Sequence, residues 1–165
     1  MKLAIIGYGK MGQAVAKVAL DSGWSIVAKV EKGNDWNPND WGADIVFEST
    51  SPGSAVDNTL RCIKAGLPVV IATTGWHSRL SELEHSGGIV FYATNFSIGI
   101  HLMNNISKYM TRVMTQFAEY NVSIQEEHHT QKLDSPSGTA LTLSEVVKAE
   151  GVEREIEISA SRKDD

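Results

Sequence analysis

Residues 3–31 read LAIIGYGKMGQAVAKVALDSGWSIVAKVE, and the prediction for the first half of the chain starts from this stretch. The apolar run from Leu3 to Gly7 is typical of a buried strand. Apolar residues then recur at helical spacing from Met11 until Gly23, where the helix is expected to end. A second apolar run, Ile26–Val30, follows. A strand, a helix and a strand at this pitch predict a right-handed parallel crossover.

A glycine-rich turn with the pattern G-x-G-x-x-G joins the first strand to the helix. Gly7 permits the tight turn, Gly9 lets a pyrophosphate approach the backbone, and Gly12 lets helix and strand pack closely. The motif also predicts an acidic residue about 20 residues further on. Glu31 lies 19 residues after Gly12, at the end of the second predicted strand. The two matches together predict a dinucleotide site; the alternative is a glycine-rich turn without a ligand.

The two residues after the second strand bear on which dinucleotide binds. Glu31 can accept hydrogen bonds from a ribose diol, which favours NAD, and it would repel a 2′-phosphate. Lys32 can offset that repulsion, or it can be an ordinary surface lysine. Both NADH and NADPH therefore stay open as cofactors.

The remaining pattern divides the chain in two. Alternating strands and a helix continue to about residue 92, which predicts an α/β fold with a doubly wound, parallel, Rossmann-type sheet. A long apolar stripe from Ile100 to Phe117 then predicts the longest helix, and a second α+β domain follows. We place the domains at 1–97 and 98–165. The further predicted elements are strands at 44–48, 68–72, 89–92, 122–125 and 154–162, helices at 56–63 and 139–149, and a loop at 126–138.

Composition excludes several classes of protein. The chain has 165 residues, 42% of them hydrophobic and 21% charged, with a net charge of −5. An acidic chain is a poor partner for nucleic acid. Its single cysteine, Cys62, cannot form an internal disulfide, and no apolar run approaches the ~20 residues of a membrane span. The short apolar run at the N-terminus does not resemble a signal peptide, so a cytoplasmic location is expected.

A small-residue segment follows the fourth predicted strand: Ala72, Thr73, Thr74 and Gly75. Ligands of open parallel sheets sit at the carboxyl ends of the strands. Small residues there would let the backbone reach a nicotinamide. The alternative is a plain strand-to-helix turn with a threonine cap.

The densest polar segment is EEHHTQKLDSPSGT, residues 126–139. His128 can deliver a proton near neutral pH. Lys132 can neutralise an anion, and Ser137, Gly138 and Thr139 precede a helix whose N-terminus can receive a substrate carboxylate. A solvated turn is the first alternative. A metal site is the second, but adjacent histidines on an extended segment point in opposite directions, so no metal is expected.

Three segments resemble the dihydrodipicolinate reductases, also called 4-hydroxy-tetrahydrodipicolinate reductases. They are residues 7–12, residues 72–75 with Asn95-Phe96-Ser97, and above all residues 127–140. The resemblance implies an oxidoreductase of the diaminopimelate route to lysine, which passes a hydride from NADH or NADPH to a dehydrated cyclic dicarboxylate. It also implies a homotetramer: the second domain binds substrate, and its mixed sheet forms the contacts between subunits.

The resemblance also implies roles for individual residues. His128 matches the family's general acid, and Lys132 matches the lysine that contacts substrate and supports developing charge. His129 has a substrate-contact role, and Gly138 and Thr139 hold a carboxylate. Cofactor contacts are implied for Gly7, Lys10, Met11, Gly12, Glu31, Thr73, Thr74, Gly75, Asn95, Phe96 and Ser97.

The sequence departs from the family pattern in two places. Only about a dozen residues separate Glu31 from Asp44, and family members continue well past Asp165. We therefore expect a chain that lacks the C-terminal part of the family. By itself it should keep the doubly wound half and bind NADH, with a second domain that is loosened, prone to aggregate and nearly inactive. Two other functions stay open: another NAD(P)-dependent amino-acid dehydrogenase, and a non-catalytic dinucleotide-sensing protein.

Overall fold

A computed structural model describes residues 1–130 and 135–163 of the protein, apart from the side chain of His129. The chain divides into two compact units, Met1–Ala93 and Thr94–Asp165. They are called the first and the second unit below. The division falls a few residues before the domain boundary predicted after residue 97.

The first unit is a five-stranded sheet with the strand order β2-β1-β3-β4-β5, and all four strand pairs are parallel. The doubly wound parallel sheet predicted from the sequence is therefore confirmed. Its elements are β1 (Lys2–Ile6), α1 (Lys10–Asp21), β2 (Ser25–Val30), β3 (Ile45–Glu48), α2 (Pro52–Lys64), β4 (Val69–Ile71), α3 (Leu80–Glu84) and β5 (Val90–Tyr92), with 3-10 turns at Pro38–Asp40 and His77–Arg79.

Strand β1 shows how the sheet is covered on both faces. Its successive side chains point to opposite faces, as pleating requires. Leu3 and Ile5 pack against Ala16 and Ala19 of α1. Ala4 and Ile6 belong to the second core cluster, which includes Ala55, Val56 and Cys62 of α2. A near-continuous apolar strand is therefore explained, since both of its faces are buried.

The strand order creates a switch point between β1 and β3. From β1 the chain runs through α1 to β2 on one side, and β3 lies on the other side of β1. Open α/β sheets bind ligands in the crevice outside the carboxyl ends of the strands at such a point. The glycine-rich turn follows β1, so the topology puts it at this crevice.

The connection from β2 to β3 is short and contains a single 3-10 turn, Pro38–Asp40. Trp36 stacks on Trp41, with ring centroids 5.3 Å apart. Both rings pack against the core cluster, and the guanidinium of Arg61 lies 4.1 Å from the Trp36 ring centroid. The two tryptophans therefore anchor this loop to the first unit.

The second unit contains α4 (Ile98–Met114), β6 (Ser123–His129), α5 (Gly138–Ala149) and β7 (Glu157–Lys163). Strands β6 and β7 pair in parallel. Helix α5 packs on them through Ala140 and Val147, which share a core cluster with Ile124 and Ile156. The described part of this sheet contains the two parallel strands only; the mixed sheet implied by the resemblance would need an antiparallel strand.

Two predicted boundaries in the second unit are wrong. Strand β6 continues to His129, where a loop from Glu126 was predicted. The strand alternates as expected, but its more buried positions after Ile124 are the polar residues Glu126 and His128, so hydrophobicity alone misses them. The long helix ends at Met114, and Phe117 lies beyond it.

Candidate functional site

The glycine-rich turn of the first unit closes tightly around two of its glycines. A Cβ on Gly12 would lie 2.2 Å from the carbonyl oxygen of Gly7, so the start of α1 and the end of β1 approach as closely as glycine allows. Gly7 has a φ of +91°, and a Cβ there would lie 2.1 Å from the carbonyl oxygen of Ser49. Larger side chains at these two positions would force the turn apart.

The third glycine faces open space. A Cβ built on Gly9 meets nothing within 4 Å, and Gly9 is the N-cap of α1 with no side chain to accept a hydrogen bond from the first turn. Helix N-termini with uncapped N–H groups attract phosphate groups. Lys10 and Met11 stand exposed in this first turn. The turn therefore has the room and the polarity that a pyrophosphate needs.

The predicted ribose contact lies at the next strand end. Glu31 follows β2 directly and is exposed, as is Lys32. The backbone N–H of Gly7 donates to the carbonyl of Val30 at 2.9 Å, which ties the end of β2 to the glycine-rich turn. The structure thus places Glu31 near the turn that it was predicted to complement.

The small-residue segment after β4 is fixed from the protein side. The hydroxyl of Thr73 donates to Oε2 of Glu48 at 2.6 Å and accepts from the backbone N–H of Thr50 at 2.8 Å. The indole N–H of Trp76 donates to the Thr73 carbonyl at 2.8 Å. Thr74 and Gly75 are exposed. Thr74 and Gly75 are therefore the members of this segment left open to a ligand.

A polar cluster occupies the second unit where β6 meets the start of α5. Nε2 of His128 lies 2.9 Å from Oε2 of Glu126. Glu126 also accepts from the backbone N–H of Ser137 at 2.7 Å and from the Ser137 hydroxyl. Ser137 is buried and caps α5, because its hydroxyl accepts from the backbone N–H of Ala140 at 3.1 Å. Glu126 thus connects the imidazole to the helix N-terminus.

The electrostatics of Glu126 result from opposing effects. Burial raises the pKa of its carboxyl, but hydrogen bonds from Ser137 and His128 outweigh burial and hold the pKa below its ordinary value. Its side chain is 11% exposed, and that of His128 is 28% exposed. An ionised carboxylate therefore faces an imidazole that solvent can still reach.

Asn95, Phe96 and Ser97, which the resemblance places among the cofactor contacts, belong to the second unit. The amide N–H of Asn95 donates to the Thr139 hydroxyl at 3.2 Å. The Asn95 side-chain oxygen accepts from the backbone N–H of Ser97 at 2.8 Å, and Ser97 is the N-cap of α4. Phe96 is about half exposed. The structure thus brings Asn95 to the same helix start as Gly138 and Thr139.

Some predicted residues lie outside this description. Lys132 is outside the described residues, and His129 is described only by its place in β6. Two residues that the sequence did not single out for these roles, Glu48 and Glu126, are the centres of the two hydrogen-bonded clusters. Among the described residues, no group of three or more His, Cys, Asp or Glu side chains could hold a metal ion. In the same part of the chain, no helix is long and apolar enough to cross a membrane.

The fold and the glycine-rich turn define a dinucleotide-binding α/β protein. Two family models match the chain: the N-terminal part of dihydrodipicolinate reductase over residues 1–96 and the C-terminal part over residues 99–165. The chain therefore belongs to the dihydrodipicolinate reductase family.

Curated relatives agree with this family. The chain is 34% identical over 152 residues to the 4-hydroxy-tetrahydrodipicolinate reductase of Christiangramia forsetii, covering 89% of the chain and 64% of the relative. It is 37% identical over 155 residues to that of Clostridium novyi, covering 85% and 60%. The chain therefore spans somewhat less than two thirds of the length of these relatives.

Solved structures show the same fold. A dipicolinate-bound dihydrodipicolinate reductase from a Paenisporosarcina species has a TM-score of 0.74 and 22% identity, covering 99% of this chain and 79% of that one. An aspartate semialdehyde dehydrogenase II from Vibrio cholerae has a TM-score of 0.51 and 9% identity, covering 99% and 67%. At these identities the likeness concerns the fold alone.

Proposed function

We propose that the protein acts as a 4-hydroxy-tetrahydrodipicolinate reductase that uses NADH or NADPH. It would reduce the dehydrated ring of its substrate to tetrahydrodipicolinate in the diaminopimelate route to lysine. The observation that carries this proposal is that both family models match one chain: the first covers the glycine-rich turn and the second covers the cluster of Glu126, His128 and Ser137. The family resemblance further supports a cytoplasmic homotetramer.

The cofactor half of the proposal rests on the first unit. When bound, the dinucleotide supplies a hydride. The open N-terminus of α1 at Gly9 would receive its pyrophosphate, and Glu31 would accept hydrogen bonds from its ribose. Lys32 stands next to Glu31, so either NADH or NADPH fits. The residues proposed to contact it are Gly7, Gly9, Lys10, Met11, Gly12, Glu31, Lys32, Thr73, Thr74, Gly75, Asn95, Phe96 and Ser97.

The proton in this reaction is assigned to His128. Hydride addition to one end of a C=C–C=N system requires a proton at the other end. Nε2 of His128 is engaged by Glu126, so Nδ1 is the nitrogen left to face a substrate. The ionised Glu126 stabilises the imidazolium and orients the ring, and Ser137 holds Glu126 in place. The hydrogen bonds thus predispose His128 to act as a general acid.

Substrate binding is assigned to the start of α5. A cyclic dicarboxylate needs N–H donors and cations for its two anionic groups. Asn95 uses an acceptor site of the Thr139 hydroxyl, which leaves the hydroxyl proton to be directed at an anion. Gly138 is the first residue of α5, so its backbone lies at the helix N-terminus. His129 and Lys132 are proposed as further substrate contacts from the family resemblance. The Paenisporosarcina relative, with dipicolinate bound, supports a small planar dicarboxylate as the ligand class.

A turnover assay tests the proposal. Oxidation of NADH and NADPH is followed spectrophotometrically with enzymatically generated substrate, and dipicolinate binding is followed by calorimetry. In a catalytically competent form of the protein, we expect turnover with both cofactors and competition between dipicolinate and substrate. Dinucleotide binding without turnover and without dipicolinate binding would favour a dinucleotide-sensing protein and would overturn the proposal.

A further inference from the structure

The first unit contains a buried carboxylate that the proposed mechanism does not use. Glu48 ends β3, and its residue is fully buried. Oε1 accepts from the Thr50 hydroxyl and from the Asn58 amide at 3.3 Å, and Oε2 accepts from the Thr73 hydroxyl at 2.6 Å. A buried carboxylate is costly unless such bonds compensate for lost water. A single side chain thus joins three segments of the chain.

Glu48 belongs to a row of hydrogen bonds at the carboxyl ends of neighbouring strands. The N–H of Ala72 donates to the Glu48 carbonyl, and the N–H of Ser49 donates to the Ile6 carbonyl, both at 2.8 Å. The Ser49 hydroxyl donates to the carbonyl of Gly7 at 3.0 Å. The ends of β1, β3 and β4 are therefore connected in a row that begins at the glycine-rich turn and ends at Thr73.

Thr73 directs its hydroxyl and its carbonyl at the protein. Its hydroxyl proton goes to Glu48, the hydroxyl oxygen accepts from the Thr50 N–H, and its carbonyl accepts from Trp76. The side chain of Thr73 therefore serves the conformation of the segment, and ligand contacts fall to Thr74, Gly75 and the backbone. The position of that backbone depends on Glu48 at one side and on Trp76 at the other.

We propose that Glu48 is a positioning residue that holds segment 72–75 in the conformation that receives the nicotinamide half of the dinucleotide. This inference rests on the proposed function. It extends that function because it explains the conformation of segment 72–75 by a hydrogen bond from Thr73 to Glu48, 25 residues away in the sequence. Glu48 acts through Thr73 and has no contact of its own with the cofactor.

Glutamine cannot reproduce what Glu48 does. The carboxylate presents an acceptor oxygen to each side, whereas an amide presents one oxygen and one NH₂ group. If the amide oxygen faces Thr50 and Asn58, Thr73 must turn its hydroxyl proton away, and if the amide flips, the other two donors lose their acceptor. Glu48→Gln therefore keeps the shape of the side chain but loses one hydrogen bond to a charged acceptor. Such a bond corresponds to about a tenfold change in affinity or more.

The experiment compares two ligands that differ only in the nicotinamide. NADH and ADP-ribose are titrated against the wild-type chain, Glu48→Gln and Thr73→Val, with the exposed Glu84→Gln as a matched control, and thermal unfolding is recorded for each. We expect Glu48→Gln to weaken NADH binding about tenfold while ADP-ribose affinity stays within about twofold. Thr73→Val should show the same selectivity, and the double variant should lose little more than either single variant.

The outcomes separate this inference from the proposed function. Unchanged NADH affinity in Glu48→Gln, or equal weakening of NADH and ADP-ribose, would overturn the positioning role while wild-type NADH binding leaves the proposed function intact. Absence of NADH and NADPH binding by the wild type would overturn both. If Glu48→Gln does not fold, Thr73→Val decides alone, because it removes the same hydrogen bond and keeps the side-chain size.

Discussion

A carboxylate joins separate segments at the candidate site of each unit, Glu48 in the first and Glu126 in the second, and the donors around the two differ. Glu48 in the first unit is surrounded by hydroxyl and amide groups that do not titrate. Glu126 in the second unit accepts from Ser137 and lies against the titratable ring of His128. Carboxylates with neutral donors can fix a backbone, whereas one beside an imidazole can also stabilise a charge that changes during a reaction. The difference agrees with the positioning role proposed for Glu48 and with the support of proton transfer proposed for Glu126.

The largest effect is expected when the imidazole beside Glu126 is removed. His128→Ala takes away the proposed acid and should lower kcat by about 10²–10⁴-fold in the turnover assay. NADH affinity should be unchanged, because the predicted pyrophosphate and ribose contacts belong to the first unit. His101→Ala provides the control, since His101 is an exposed residue of α4 bonded to Asn105. Near-normal turnover of His128→Ala would mean that the proton comes from another group.

A smaller effect is expected from the carboxylate itself. Glu126→Gln keeps the shape and removes the charge that stabilises the imidazolium, so kcat should fall roughly 10–100-fold, the value of one hydrogen bond to a charged group. Glu126→Asp, which keeps the charge at a shorter reach, should lie between the wild type and Glu126→Gln. A rise in KM with kcat unchanged would show that Glu126 merely shapes the substrate site, and the contrast with Glu48 would then disappear.

A third carboxylate, Glu31, is exposed to solvent, in contrast to Glu48 and Glu126, and its proposed partner is the cofactor itself. Glu31→Ala should weaken NADH binding by about 1–2 kcal/mol, because a charge-assisted hydrogen bond to the ribose is lost. NADPH binding should weaken much less, since the 2′-phosphate is also relieved of repulsion. Fluorescence titration with both cofactors measures the difference. Equal losses for the two cofactors would remove Glu31 from the ribose site.

The sequence predicted those features of the fold that depend on residues close together in the chain. The glycine spacing at 7–12 and the strand-helix-strand periodicity predicted the first unit, because turn geometry and alternation are local properties. The clusters around Glu48 and Glu126 were not predicted, because they join residues up to 25 and 11 positions apart across different elements. Both carry a signal in retrospect. Glu48 is an acidic residue at the end of an otherwise apolar strand, and Glu126 is a polar residue at a partly buried position of an alternating strand.

The smallest effect is expected in the pH dependence of stability, and it concerns Glu126 alone. Hydrogen bonds from Ser137 and His128 hold the pKa of this carboxyl below its ordinary value in spite of burial. A group with a lowered folded-state pKa stabilises the protein above its unfolded pKa, and this contribution is lost as the pH falls through the folded pKa. The wild type should therefore lose more free energy of unfolding between pH 6 and pH 3 than Glu126→Gln does.

Denaturant unfolding at several pH values measures this difference. Asp57 and Glu82 also have lowered pKa values, because Arg79 donates hydrogen bonds to both. Their contributions are present in the wild type and in the variant, so they cancel in the comparison. His128→Ala then separates the two sources of the shift, since it removes the imidazole and leaves Ser137 in place. If Glu126→Gln follows the wild-type pH dependence, the carboxyl of Glu126 has the same pKa in the folded and the unfolded chain. Its donors then give no net stabilisation of the ionised form.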